Sequence, residues 1–122
     1  LVAGFPTEGE AAHANSLALI ADCGLVHAHI FPFSPRPGTA AARMPQVPPA
    51  TARARAAQLR AAAAEAHARA AGAFVGKPLD VVSEGGQGIT PHGFKLRFRQ
   101  PRGRGARLTV APMGFSDGTY VE

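Results

Sequence analysis

With 122 residues, the chain has the size of one ordinary domain or two very small ones. Hydrophobic residues make up 46%, but Ala dominates them, Trp is absent and Tyr occurs once, so Phe must anchor whatever core exists. One cysteine excludes a disulfide framework and any Cys-rich zinc or iron–sulfur site built by this chain alone, and no apolar run approaches the roughly 18 to 20 residues that cross a bilayer.

No signal peptide opens the chain, and Leu1 lies inside an apolar run, which reads as the middle of a longer cytoplasmic protein. Leu1-Val-Ala-Gly-Phe-Pro6 reads as the end of a buried strand entering a tight turn. A helix follows. Thr7 and Glu10 have the spacing of a capping box, Ala11, Ala14, Leu17, Ala18 and Ala21 recur at helical spacing, and Gly24 supplies a left-handed stop. Leu25 to Phe31 is a buried parallel strand by length and content. Pro32-Phe-Ser-Pro-Arg-Pro-Gly-Thr39 is then a stiff loop, excluded from helix and central strand by its prolines. Pro45 to Pro49 reads as a linker, and Thr51 to Ala71 as a helix of strong helix formers whose only large aliphatic, Leu59, allows it a narrow buried stripe.

From Lys77 the pattern changes to short alternating runs. Leu79 to Glu84, Phe94 to Arg99, Ala106 to Val110 and Gly118 to Val121 read as four strands, with Phe94, Leu96 and Phe98 on one face and Lys95, Arg97 and Arg99 on the other. A small antiparallel barrel of the OB type would bury the first set and offer the second to a ligand. The chain thus divides into residues 1–48, a connecting helix at 49–75, and a β-rich part at 76–122, with a boundary near Gly76.

Charge follows the same division. Residues 1–48 hold two basic and three acidic groups, residues 49–75 four and one, and residues 76–122 seven and four. Lys95, Arg97, Arg99, Arg102, Arg104 and Arg107 fall in a stretch without an acid, the pattern of a phosphate-contacting surface. Such cations also guard exposed strand edges.

Few residues suggest catalysis. Among the five histidines only His27 and His29 share a strand face, and no third metal ligand accompanies them. Cys23, in the last turn of the first helix, reads as a buried filler rather than a nucleophile, because the negative end of a helix dipole gives a thiolate no support. Ser34 has no base beside it, and capping explains Glu10. No catalytic residue and no metal site is assigned. The Gly4 to Pro6 turn brings backbone amides to a helix N-terminus, which suits a carboxylate or ribose-bearing ligand or is simply an ordinary turn.

Val2-Ala-Gly-Phe-Pro-Thr-Glu8, His29-Ile-Phe-Pro-Phe-Ser-Pro-Arg-Pro-Gly-Thr39 and Ala41-Ala-Arg-Met-Pro-Gln-Val-Pro48, followed by Arg55 and Leu59 on a helix, resemble the later part of radical SAM tRNA methylthiotransferases. The His-x-Phe-Pro and Ala-Ala-Arg-Met pieces are most similar to the subgroup acting on threonylcarbamoyladenosine beside the anticodon; the isopentenyladenosine subgroup shares the Ser-Pro-Arg-x-Gly-Thr loop, and a ribosomal-protein subgroup is more distant. The resemblance implies a fold of the α/β type followed by a small all-β part: the last strands and helix of a partial (β/α) barrel, a long helix, and a TRAM-like RNA-binding barrel. It implies that Gly4, Phe5 and Pro6 lie near S-adenosylmethionine, and that Ser34, Arg36, Gly38 and Thr39 form a rigid loop at the active-site mouth. It further implies two [4Fe-4S] clusters in a full-length, monomeric enzyme that binds a tRNA anticodon stem-loop. The family's Cys-x-x-x-Cys-x-x-Cys motif is absent from these 122 residues, so this chain alone is expected to be inactive. Gly9 and Ala40 depart from the Thr and Pro usual there, and the Gly85-Gly-Gln-Gly88 loop agrees only loosely. A free-standing RNA-binding module and a truncated product without function are the competing readings.

Overall fold

The computed structural model describes residues 1–122, in two compact units, Leu1–His67 and Ala68–Glu122. No helix is long and apolar enough to cross a membrane.

In the first unit, β1 (Val2–Ala3) pairs in parallel with β2 (Phe31–Pro32), and α1 (Glu10–Asp22) connects them. The strand expected over Leu25 to Phe31 is therefore shorter and displaced. It pairs with Val2 and Ala3, and Pro32 enters the ladder despite its missing N–H. The alternation of the register explains this: Phe31 and Phe33 donate to the Leu1 and Ala3 carbonyls, and the intervening Pro32 owes no donor.

Helix α1 starts at Gly9 without a side-chain cap, so the expected Thr7–Glu10 box does not form. Both nearby carboxylates are claimed elsewhere: Glu8 and Glu10 pair with Arg55 of α2 (Pro49–Gly72), and the Glu8 carboxylate also accepts from the Gly4 amide. The expected Ala stripe is likewise corrected. His13, Leu17 and Ile20 are the residues turned inward, while Ala11, Ala14, Ala18 and Ala21 are exposed, because burying a methyl returns far less than burying Ile or Leu. Cys23 is exposed at the helix C-terminus rather than buried. Gly24 adopts the expected positive φ beyond it.

A 3₁₀ turn (Ala41–Arg43) precedes α2, which begins at Pro49, where a proline's fixed φ suits a first helical turn. Its buried stripe is narrow, as its composition requires. Ala52, Arg55, Ala56, Leu59 and Ala66 face inward, and Leu59 joins Ile20, Ile30 and Ala3 in the core.

The second unit takes the end of α2 and a six-stranded mixed sheet of order β6-β3-β4-β5-β8-β7. The strands are β3 (Leu79–Ser83), β4 (Gln87–Ile89), β5 (Lys95–Arg97), β6 (Arg107–Val110), β7 (Gly114–Ser116) and β8 (Thr119–Val121). Two of these, β4 and β7, escape the four-strand expectation; their Gly-rich sequences read as loop. At Gly88 the reason for glycine is steric, since a Cβ there would strike Val81 and approach Phe98 Cζ to 2.9 Å. The alternation from Phe94 to Arg99 is present residue by residue, Phe94, Leu96 and Phe98 buried and Lys95, Arg97 and Arg99 exposed. The unit is consistent with a small TRAM-like domain.

Its core is aromatic. Phe94 lies 5.4 Å from Tyr120, 5.9 Å from Phe115 and 6.4 Å from Phe74, centroid to centroid, in tilted or edge-on arrangements. The Tyr120 hydroxyl donates to the Ala71 carbonyl in the last turn of α2 at 2.8 Å, beside the bond that carbonyl accepts from the Phe74 amide.

Candidate nucleic-acid interface

Strand pairing fixes which basic residues share a face. In the register, Arg107 stands opposite Val82, Val82 opposite Ile89, and Ile89 opposite Lys95, so one rung crosses four strands with a cation at each end. The adjacent rung pairs Gln87 with Arg97 and Arg97 with Val121. Lys95, Arg97 and Arg107 therefore project from one solvent-facing surface, and neither they nor Arg104 take part in an ion pair.

Arg99 and Arg102 differ from the expectation of a stretch without acids. Glu122, distant in sequence, supplies the carboxylate: it pairs with Arg102 Nη2 at 2.7 Å and accepts from the Arg99 amide, while Arg99 Nε donates to the Glu122 carbonyl. Arg102 also lies 5.9 Å over the Phe98 ring. Six basic residues thus become four unengaged and two tied. A count along the sequence could not show this, because the neutralising acid arrives through the parallel pairing of β5 with β8.

The Arg102 hydrogen bond, helped by the Arg99 amide and by both charges, holds the Glu122 carboxyl below the usual carboxylate range against the opposing effect of burial. Since the folded-state pKa is depressed, the pair's contribution is present above the ordinary carboxylate value and is lost as pH falls through the lowered one. Both side chains are partly exposed, so stability should barely move. The expected result in an NMR titration is a depressed Glu122 midpoint that returns upward in Arg102→Ala; a midpoint unmoved by that substitution would refute the pairing.

No aromatic ring lies on this face. Phe94 and Phe98 point inward as expected, so what this face presents is charge and the exposed aliphatic side chains of Val82 and Ile89.

In the first unit, the two segments nominated from sequence meet. Phe5 and Phe33 form an edge-on pair at 5.2 Å, bringing the Gly4 to Pro6 turn beside the loop that carries Ser34, Arg36, Gly38 and Thr39. That loop is exposed and braced internally: Thr39 Oγ1 donates to the Arg36 carbonyl at 2.8 Å and accepts from the Ala42 amide. The turn's amides are less available than the sequence suggests. The Gly4 N–H already binds the Glu8 carboxylate, and the Glu8 N–H binds the Phe5 carbonyl, so the protein's own groups occupy the place proposed for a ligand carboxylate. What sequence reasoning missed is the pairing of Arg55, a residue it quoted only for the family resemblance. Its guanidinium is buried and held charged above its usual range, chiefly by Glu10 and then by Glu8, tying α2 to the turn. Its partners lie more than forty residues away, so nothing local in the helix showed this.

Comparison with known proteins finds relatives of one kind. Over 48 residues the chain is 52% identical to the threonylcarbamoyladenosine tRNA methylthiotransferase MtaB of Rickettsia prowazekii. Its curated relatives are methylthiotransferases. It is 41% identical over 86 residues, 70% of its length, to the ribosomal protein uS12 methylthiotransferase RimO of Syntrophobacter fumaroxidans. Over 54 residues it is 41% identical to the tRNA-2-methylthio-N(6)-dimethylallyladenosine synthase of Chromobacterium violaceum. The chain spans between 11% and 19% of the length of these methylthiotransferases. No protein-family model matches it.

Proposed function

We propose that the chain is the C-terminal portion of a radical SAM methylthiotransferase acting on a hypermodified adenosine, threonylcarbamoyladenosine on its 52% identity to MtaB over 48 residues, next to the anticodon of a cytoplasmic tRNA. Residues 1–48 would close part of the catalytic barrel, residues 49–75 connect, and residues 76–122 would hold the anticodon stem-loop. The observation that carries the RNA half is the convergence of Lys95, Arg97 and Arg107 on one sheet face without carboxylate partners. A substrate protein would have no need of such a field, whereas every phosphate responds to it.

The cofactors belong to the whole enzyme. With one cysteine, this chain cannot furnish the thiolates of a [4Fe-4S] cluster, so the residues do not fit that group and no step is derived through it. The Gly4–Phe5–Pro6 turn suits a wall beside bound S-adenosylmethionine better than a ligand to it, since its Gly4 amide is engaged by Glu8. The stiff loop of Ser34, Arg36, Gly38 and Thr39 would then stand at the mouth, with the exposed Arg36 as its charged group.

The test is a salt titration of anticodon stem-loop binding by the 122-residue chain. Log affinity should fall with log salt at about −0.7 per single-strand phosphate neutralised, and Lys95→Ala with Arg97→Ala should flatten the slope by roughly one to two contacts. Arg99→Ala should flatten it less, because that side chain is held by Glu122. A slope indifferent to Lys95 and Arg97 would move the RNA site off this face.

The similarity to RimO favours a second reading, in which the modified substrate is ribosomal protein uS12. Mass spectrometry of tRNA nucleosides and of uS12 from cells lacking the gene separates the two.

A further inference from the structure

The outer face of the sheet holds a cleft of about 460 Å³ whose shape and chemistry go beyond a charged surface. Its floor is aliphatic, formed by Val82 and Ile89, which are 46% and 38% exposed although they lie mid-sheet. Pro91 borders it, and Arg107 and the Asp80–Thr109 pair line it from neighbouring rungs of the β3–β6 ladder. Thr109 Oγ1 donates to Asp80 Oδ1 at 3.1 Å, which orients the carboxylate and leaves Oδ2 unused. A carboxylate among cations is out of place in a purely electrostatic RNA surface, where it would repel the phosphates it sits beside.

We propose that this cleft takes one unstacked guanine of the bound RNA. The inference rests on the RNA-binding reading above and adds base selection to it. Val82 and Ile89 give the flat, apolar contact that a base face needs once it leaves its stack. Arg107, opposite Val82 in the register, takes the adjoining phosphate. Asp80 then meets the base edge. Guanine alone among the four bases presents two adjacent donors there, N1–H and N2–H, and a carboxylate is acceptor-only, with two oxygens to receive them. Adenine offers one donor beside an acceptor, and cytosine and uracil offer one donor each beside acceptors, so each leaves a carboxylate oxygen facing a lone pair. The Lys95 end of the rung, about 14 Å from Arg107 at three strand spacings, lies within reach of the next backbone phosphates.

Asp80→Asn distinguishes this proposal from simple phosphate binding. The variant is isosteric at an exposed position and can still accept from Thr109, so it should fold. Its amide presents one acceptor and one donor, the complement of adenine. The probe is a fluorescein-labelled oligouridine with a single central guanosine, inosine or adenosine, titrated with the 122-residue chain. The wild type should prefer guanosine over adenosine by about tenfold, with inosine, which lacks N2–H, in between. Asp80→Asn should abolish that preference or reverse it toward adenosine, while leaving the salt slope as steep or steeper. Arg107→Gln should weaken all three alike. If Lys95 and Arg97 govern the slope but Asp80→Asn leaves base preference unchanged, the cleft proposal is overturned and the RNA surface stands. If no oligonucleotide binds at low salt, both are overturned.

Discussion

Phe94→Ala is expected to unfold the β-rich unit. The ring is 1% exposed and is the hub around which Phe74, Phe115 and Tyr120 are arranged. Truncating a buried Phe costs about 3 to 5 kcal/mol, because the lost transfer energy is joined by a cavity that a β-sheet cannot collapse to fill. Natural domains keep only about 0.05 to 0.15 kcal/mol per residue in reserve, so a unit of this size has little more than that to lose. Amide hydrogen exchange should show β5 and β8 protection falling to the level of the exposed turns. A variant whose protection at Leu96 and Tyr120 matched the wild type would place the core elsewhere. Lys95→Ala, at the next residue and the first of β5, should change exchange hardly at all, which separates the inward from the outward set.

Gly4→Ala carries the largest effect expected in the first unit, for two separable reasons. Gly4 has φ +78°, a region that costs an L side chain about 1 to 2 kcal/mol. A Cβ there would also meet the Ala52 side chain and stand 3.0 Å from Ala52 Cα, backbone of α2 that cannot step aside, adding an overpacking cost of about 1 to 3 kcal/mol. Gly38 provides the control. Its φ is +83°, but a Cβ there would find open space, so Gly38→Ala should cost the backbone component alone. Urea midpoints for the two variants should differ in that order; equal losses would mean that the approach of α2 to the turn is not close in solution.

Much of the chain's organisation was legible because it rests on local rules. The strict alternation from Phe94 to Arg99 needs only the period of a strand to be read, and Leu59 had to be buried because its helix offers no other large aliphatic. The Ser34 to Thr39 loop was readable from prolines that restrict the backbone whatever surrounds them. What stayed hidden depends on residues far apart in sequence. The capping box failed because Arg55, more than forty residues away, outcompetes an exposed helix end for Glu8 and Glu10. Strand β4 was invisible because Gly88 is selected by the proximity of Val81 and Phe98 rather than by any strand preference of its own. The apparent run of unopposed cations was shortened by Glu122 for the same reason. The cleft beside Asp80 needed a register to assemble it from three strands.

The Tyr120 phenol, fully buried and bonded to the end of α2, has one practical consequence. The chain holds no Trp and no other Tyr, so it carries a single useful intrinsic fluorophore, and that fluorophore reports on the β-rich unit alone. Burial also raises its ionisation above the ordinary phenol value, so its ultraviolet absorbance should change at a more alkaline pH in the folded unit than in the unfolded chain. Unlabelled protein can therefore be melted with two probes at once, helical circular dichroism following mainly the Leu1–His67 half and tyrosine emission following the other, and any gap between the curves measures directly how far the two halves fold independently.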